Sequence, residues 1–172
     1  MKQNKIYFDN NWGFSIGQFE DNLPHKHYAI QINISLDSEV ILTTENNQIP
    51  KFKNFLIKSN VSHQLTCKTK HLLLLFYPTS PIGCYLNQLS DNDITEFKHP
   101  ILKQLKEHGI SFLNGKIDFE KVVLEISHLL DTITCQIEMA PHYKDDRIRN
   151  AIKHLEAKFN RLVSLKEIAE IQ

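Results

Sequence analysis

The sequence predicts an α+β fold with strands first and helices after. Three observations carry this. Up to about Tyr85 the chain breaks into short runs rich in β-branched and aromatic residues, separated by Asn, Asp, Ser and Pro. Beyond residue 86 the apolar spacing changes from two to three and four. Beyond Asp145 the pattern becomes that of short capped helices with basic residues among their apolar positions.

Strands are expected at Trp12 to Phe19, Tyr28 to Leu36, Val40 to Thr44, Phe52 to Ile57, Val61 to Thr66 and His71 to Tyr77. The intervening Asp21-Asn22-Leu23-Pro24, Asp37-Ser38, Asn46-Asn47 and Ser59-Asn60 are turn chemistry. Such a series suits a sandwich or barrel, closed off by Pro78 to Gly83. Ile94, Phe97, Ile101, Leu102 and Leu105 then recur at helical steps, with Pro100 marking a start and Gly109 a stop. Asp118 can cap a longer helix, along which Phe119, Val122, Val123, Ile126, Leu129, Leu130, Ile133 and Ile137 form a stripe.

The tail begins with Asp145 and Asp146 as N-cap candidates, followed by Ile148, Ile152, Leu155 and Phe159 on one face. After a turn at Asn160 to Val163, Ser164-Leu165-Lys166-Glu167 reads as a capping box that opens a second helix through Ala169. Residues 144–172 hold seven Lys/Arg against five acids, a small excess of positive charge. A helix-turn-helix needs one more helix to enter the major groove, and the chain ends at Gln172. Specific DNA binding is therefore not expected of these residues alone.

Twenty Lys/Arg balance twenty Asp/Glu, and 41% of residues are apolar, which is ordinary for a globular protein. Cys67, Cys84 and Cys135 are odd in number, so reduced, inert thiols in a cytoplasmic protein are expected. The polar start and the short apolar run Leu72 to Tyr77 leave no candidate for a signal or a membrane span. No nucleophile-base-acid arrangement and no Gly-rich phosphate loop stands out.

The chemistry concentrates in residues 25 to 36. One face of that strand carries His25, His27, Ala29, Gln31, Asn33 and Ser35, and the other Lys26, Tyr28, Ile30, Ile32, Ile34 and Leu36. In a barrel backed by helices, the polar face lines the interior and the apolar face meets the helices. Val61, His63, Leu65 and Cys67 share one face of a later strand, which sets His63 among apolar neighbours where it needs a polar partner. His25, His27 and Gln31 could supply that partner. Three readings stay open for His25, His27, Gln31 and His63: a divalent transition metal site, a metal-free polar pocket for a small effector, or a hydrogen-bonded structural cluster. The other six histidines, His71, His99, His108, His128, His142 and His154, are expected at the surface or rim.

His25-Lys26-His27-Tyr28-Ala29-Ile30-Gln31 resembles the first motif of the cupin superfamily, with Gln31 where that family usually has Glu. Phe55 to His63 resembles the second motif, without its usual Pro and Gly around Lys58 to Ser62. With the helices and the Ser164 to Ala169 segment, the whole chain resembles an AraC-type transcriptional regulator. The resemblance implies three parts: a cupin-like jelly-roll sensor at 1–85, a helical connector at 86–143, and an incomplete helix-turn-helix domain at 144–172. It implies a small-molecule effector in the barrel and a homodimer paired through Val122, Ile126, Leu129, Leu130 and Ile133. It also implies DNA binding by the full-length regulator, with Ser164, Glu167 and Ala169 opening the reader. The alternative is a stand-alone metal-dependent cupin enzyme of the oxygenase or isomerase class.

Overall fold

A computed structural model describes residues 4–19, 21, 23–37, 41–44, 52–66, 70–136 and 146–157. The chain divides into two compact units, Met1–Gln136 and Ile137–Gln172. The first unit is α+β, as the sequence predicts. Its strands are β1 (Lys5–Phe8), β2 (Trp12–Gly17), β3 (Ile30–Ser35), β4 (Ile41–Thr44), β5 (Asn54–Ile57), β6 (His63–Thr66), β7 (His71–Phe76) and β8 (Ile94–Glu96). Its helices are α1 (Pro81–Gln88), α2 (Leu102–Leu113) and α3 (Phe119–Gln136).

Six strands form one sheet in the order β1-β2-β7-β3-β5-β8, and β4 and β6 form a second. Every ladder is antiparallel. Directly paired residues share a face, so the register writes out what each face carries. One row across the large sheet is Phe8, Gly13, Leu75, Gln31, Ile57 and Ile94. The next is Ile6, Ser15, Leu73, Asn33, Phe55 and Glu96. These rows face the small sheet, because Leu42 of β4 and Leu65 of β6 share a buried cluster with Phe55 and Ile57. The opposite face presents Phe14, Ile16, Ile30, Ile32, Ile34, Leu72, Leu74 and Phe76, all buried. The helices pack there: Ile32, Leu74 and Phe76 line a common apolar site with Ile82 and Leu86 of α1, Leu105 of α2, and Leu130 and Ile133 of α3.

Three elements depart from the sequence expectation. Lys5–Phe8 is an edge strand of only four residues, too short to show an alternation. The segment expected as a closing loop opens α1, whose N-cap Ser80 accepts a hydrogen bond from the Gly83 N–H at 3.1 Å. Ile94–Glu96 pairs with β5 instead of starting a helix, so the large sheet extends past residue 85. Gly109 does not stop α2. It lies buried inside the helix, where an added Cβ would meet Leu36 Cδ2 at 3.0 Å. The stop is Gly115, at φ +70, whose N–H reaches the Phe112 carbonyl while Lys116 N–H reaches that of Ser111.

Asp118 caps α3 as expected, through its carboxylate and the Lys121 N–H at 2.8 Å. Much of the α3 stripe is covered within the first unit. Val122, Ile126, Leu130 and Ile133 are buried inside the first unit, and Leu129 is half-buried, so those side chains are already covered. Among the apolar residues of α3, Leu124 is the exposed one that is large. The second unit contains α4 (Asp146–Ala157), on which Arg147 and Lys153 are exposed. Ser164, Glu167 and Ala169 lie outside the described residues, as do Asp145, Ile137, Cys67 and His142. No helix among the described residues is long and apolar enough to cross a membrane.

Candidate metal and effector site

The segment before β3 is bound to β6 by backbone hydrogen bonds. His25 N–H donates to the His63 carbonyl and His63 N–H donates back, at 2.9 and 2.8 Å. Asp21 N–H donates to the Leu65 carbonyl at 2.9 Å, and Leu65 N–H donates to the Asp21 carboxylate at 2.7 Å. This pairing draws His25 and His27, which precede β3, onto His63 at the start of β6. Asn60 completes the arrangement. It takes a left-handed conformation (φ 61), which Asn tolerates, and donates its N–H to the His27 carbonyl at 2.8 Å. The turn thus needs no glycine.

The three imidazoles form a tight group, with ring centroids 4.7 Å apart for His25–His63, 5.1 Å for His27–His63 and 5.6 Å for His25–His27. One ligand atom from each lies within 4.8 Å of the others. Two of the tautomers are fixed by backbone carbonyls. His27 Nδ1–H donates to the Ala29 carbonyl and His63 Nδ1–H to that of Val61, both at 2.9 Å. Each ring in its neutral form is then left with a bare Nε2 lone pair. His25 turns Nδ1 toward the Asp21 carboxylate at 3.7 Å, an ion-pair separation rather than a hydrogen bond. Backbone or carboxylate partners on Nδ1 are what orient imidazoles that ligate metal through Nε2.

Gln31 adds the fourth donor. Its Oε1 stands 2.9 Å from His27 Nε2. With Nδ1–H committed, the neutral His27 offers a lone pair there, and two acceptors do not hydrogen-bond each other. The contact is resolved by a cation that both atoms face, or by turning the amide over. Burial holds His63 below the usual histidine range, and the neighbouring His27 and His25 lower it further against the raising effects of the Val61 carbonyl and Asp21. His63 therefore stays neutral and able to ligate near pH 7. Three imidazoles and an amide oxygen fit a divalent transition ion.

Beyond the histidines the interior stays polar. Gln31, Asn33 and Ser35 are 2%, 0% and 6% exposed. Gln31 Nε2, both amide atoms of Asn33, and His63 Nε2 have no hydrogen-bond partner among the described residues. Each such atom costs about 1–3 kcal/mol when left unmade. Water, a metal or a ligand can supply the partners they lack.

The expected set His25, His27, Gln31 and His63 is thus brought together. Asp21 and Asn33 were missed as site residues, although Asp21 precedes His25 by four positions and Asn33 shares the face of Gln31. His71 corrects the surface expectation: it is buried on the interior side, paired in register with Ser35 and edge-on to Phe19. His99 is half-buried and stacked on Phe97, with ring planes 8° apart. Cys84 is buried, which pushes its thiol up and away from reactivity.

No family model matches the chain. No curated protein matches it. Solved structures do align with it. ToxT from Vibrio cholerae O395 covers 97% of this chain and 67% of its own, at 13% identity and a TM-score of 0.40. An RmlC-like cupin from Shewanella frigidimarina covers 45% of this chain and 86% of its own, at 18% identity and TM-score 0.35. A cupin domain from Bordetella pertussis Tohama I covers 44% and 91%, at 10% identity and TM-score 0.35. Similarity at this level carries no functional argument. The function has to be read from the site.

Proposed function

We propose that this chain is the sensing portion of an AraC-type transcriptional regulator. A divalent transition metal held by His25, His27, Gln31 and His63, with a small effector beside it, biases how the helices pack and so how DNA is read by the C-terminal helical region. The observation carrying this reading is the two-sided burial of β3. Its polar side holds Gln31 and Asn33 with unmatched amide atoms, and its apolar side holds Ile30, Ile32 and Ile34 in the layer that meets α1 and α2. A ligand that draws on Gln31 or Asn33 acts on the strand that carries those helices. Two helix packings that differ in affinity for the ligand then shift in population.

The metal, when bound, supplies a Lewis-acid position for a ligand atom. The chain's own residues do the rest. The Ala29 and Val61 carbonyls hold two rings in register, and Asn33 is fully buried. A homodimer belongs to this reading; with Val122, Ile126, Leu130 and Ile133 covered, pairing through α3 falls to its outer face around Leu124.

Two measurements test the proposal. Elemental analysis and Co²⁺ titration should give one ion per chain, with at least a hundredfold weaker binding in His63→Ala, about 2.7 kcal/mol. In the intact regulator, loading the site should change operator affinity measured by fluorescence anisotropy. An unchanged operator affinity removes the coupling, and substrate turnover by the loaded protein moves the reading to a metal-dependent enzyme.

A further inference from the structure

We infer that the effector is a small carboxylate with a compact apolar or aromatic body, its anionic end completing the metal's ligand set and its body lying in a cleft along β1, β2 and β7. This rests on the metal reading above and adds the class of ligand.

The first observation is charge. Among the described residues the cluster contains three histidines and no Asp or Glu, and Gln31 is a neutral amide. Asp21 stands behind His25 at 3.7 Å with its carboxylate already accepting from Leu65 N–H. These donors leave the charge of a divalent ion uncompensated, in a site that is buried at His63 and exposed at His25, which favours an anion in the next coordination position. Among anions, a carboxylate also matches the second observation. Asn33 is fully buried, with its Nδ2 donors unmatched, two residues along the same face from Gln31, roughly 7 Å up the strand. Gln31 Nε2 is unmatched as well. Amide N–H groups of this kind are donors for carboxylate oxygens.

The third observation is space with an address. A cleft of about 450 Å³ is lined by Phe8, Trp12, Gly13, Ala29, Leu75 and Tyr77, with Asp9 at an exposed position on its wall. This is the size of a small-molecule site, about 300–1,000 Å³. Leu75 is the cross-strand partner of Gln31, and Ala29 lies between His27 and Gln31. The cleft thus neighbours the donor set through Ala29 and Leu75, without being lined by it. Its floor is made by Gly13: a Cβ there would meet the Phe8 ring at 2.5 Å and the Tyr7 carbonyl at 2.8 Å, so glycine lets Phe8 lie along the cleft. The wall is aromatic, and its Phe8 and Tyr77 are exposed, at 70% and 52%.

The chain's single tryptophan, Trp12, lines the cleft and reports occupancy by fluorescence. Benzoate, its neutral analogue benzamide, and acetate are titrated into the Co²⁺-loaded and metal-stripped chain, reading Trp12 emission and the cobalt visible bands. Benzoate is expected to shift both signals and to bind at least about tenfold tighter than benzamide, and about tenfold tighter to loaded than to stripped protein. Gln31→Glu should keep cobalt and lose benzoate by about tenfold, because the added carboxylate neutralises the ion. Phe8→Ala should weaken benzoate and leave acetate unchanged. Equal binding of benzoate and benzamide to the loaded protein overturns the anion inference while the metal reading stands. Loss of any His63-dependent cobalt spectrum overturns both.

Discussion

The two faces of β3 are equally buried and chemically opposite. Ile30, Ile32 and Ile34 are closed against the helical layer, and Gln31, Asn33 and Ser35 are closed inside the sandwich. A fully buried aliphatic side chain stabilises by about 1.5–3 kcal/mol. An unmatched buried amide costs a similar amount. One side of the strand therefore offsets the other. The contrast teaches that burial alone does not mark a structural residue: the same six positions hold the fold on one face and keep chemistry in reserve on the other.

The largest expected effect tests the helix-facing side. Leu74→Ala removes a fully buried side chain of β7, the cross-strand partner of Ile32, from the face the helices cover. It should destabilise by about 2–5 kcal/mol in urea unfolding, with metal binding retained. A loss of metal in the still-folded variant would break the separation of the two faces.

Asn33→Leu tests the polar side. In metal-free protein it should be neutral or stabilising by about 1–2 kcal/mol, since it removes two unmatched atoms, while ligand response falls. Destabilisation of that size would instead mean that Asn33 serves the fold. Ser80→Ala, which removes the bond from Gly83 N–H and the one to the Tyr77 carbonyl, should cost about 1 kcal/mol. A change in ligand affinity on loosening α1 would show that the helix layer senses the site.

The smallest effect is a pH dependence from the helix-facing side. Burial holds His99 below the usual histidine range, in an apolar layer shared with Phe97 and Tyr85. The unfolded chain, with histidine near 6.5, binds the proton first as pH falls. The stability His99 contributes is full above about pH 6.5 and is lost on acidification toward its lower folded value. Thermal melts from pH 8 to pH 5 should show a falling Tm, with a smaller fall in His99→Phe.

Much of this was legible in advance because strands alternate. β2 to β7 all fall within the expected runs, and the inverted polarity of residues 25 to 36 did place the polar face inside. The meeting of His25, His27 and His63 followed from the same alternation. What stayed hidden had weak local signal. β1 has four residues, β8 has three, and each is a strand because a partner at the sheet edge pairs with it. Ile94 and Phe97 satisfied a helical spacing that tertiary pairing overrode. Gly109 reads as a helix stop until Leu36 is seen lying against it.

By itself the sequence determined strands β2 to β7, the helical character of the later chain, the polar side of β3, and the residue types a metal or an anion would use. Periodicity and turn chemistry are local and survive in one dimension. Only the tertiary structure decided that α3 spends its stripe inside the chain, that Asp21 stands behind His25, and that Phe8 reaches across Gly13 to the cleft beside Gln31. Those are contacts between residues far apart in the chain. They depend on register and packing, which no single segment encodes.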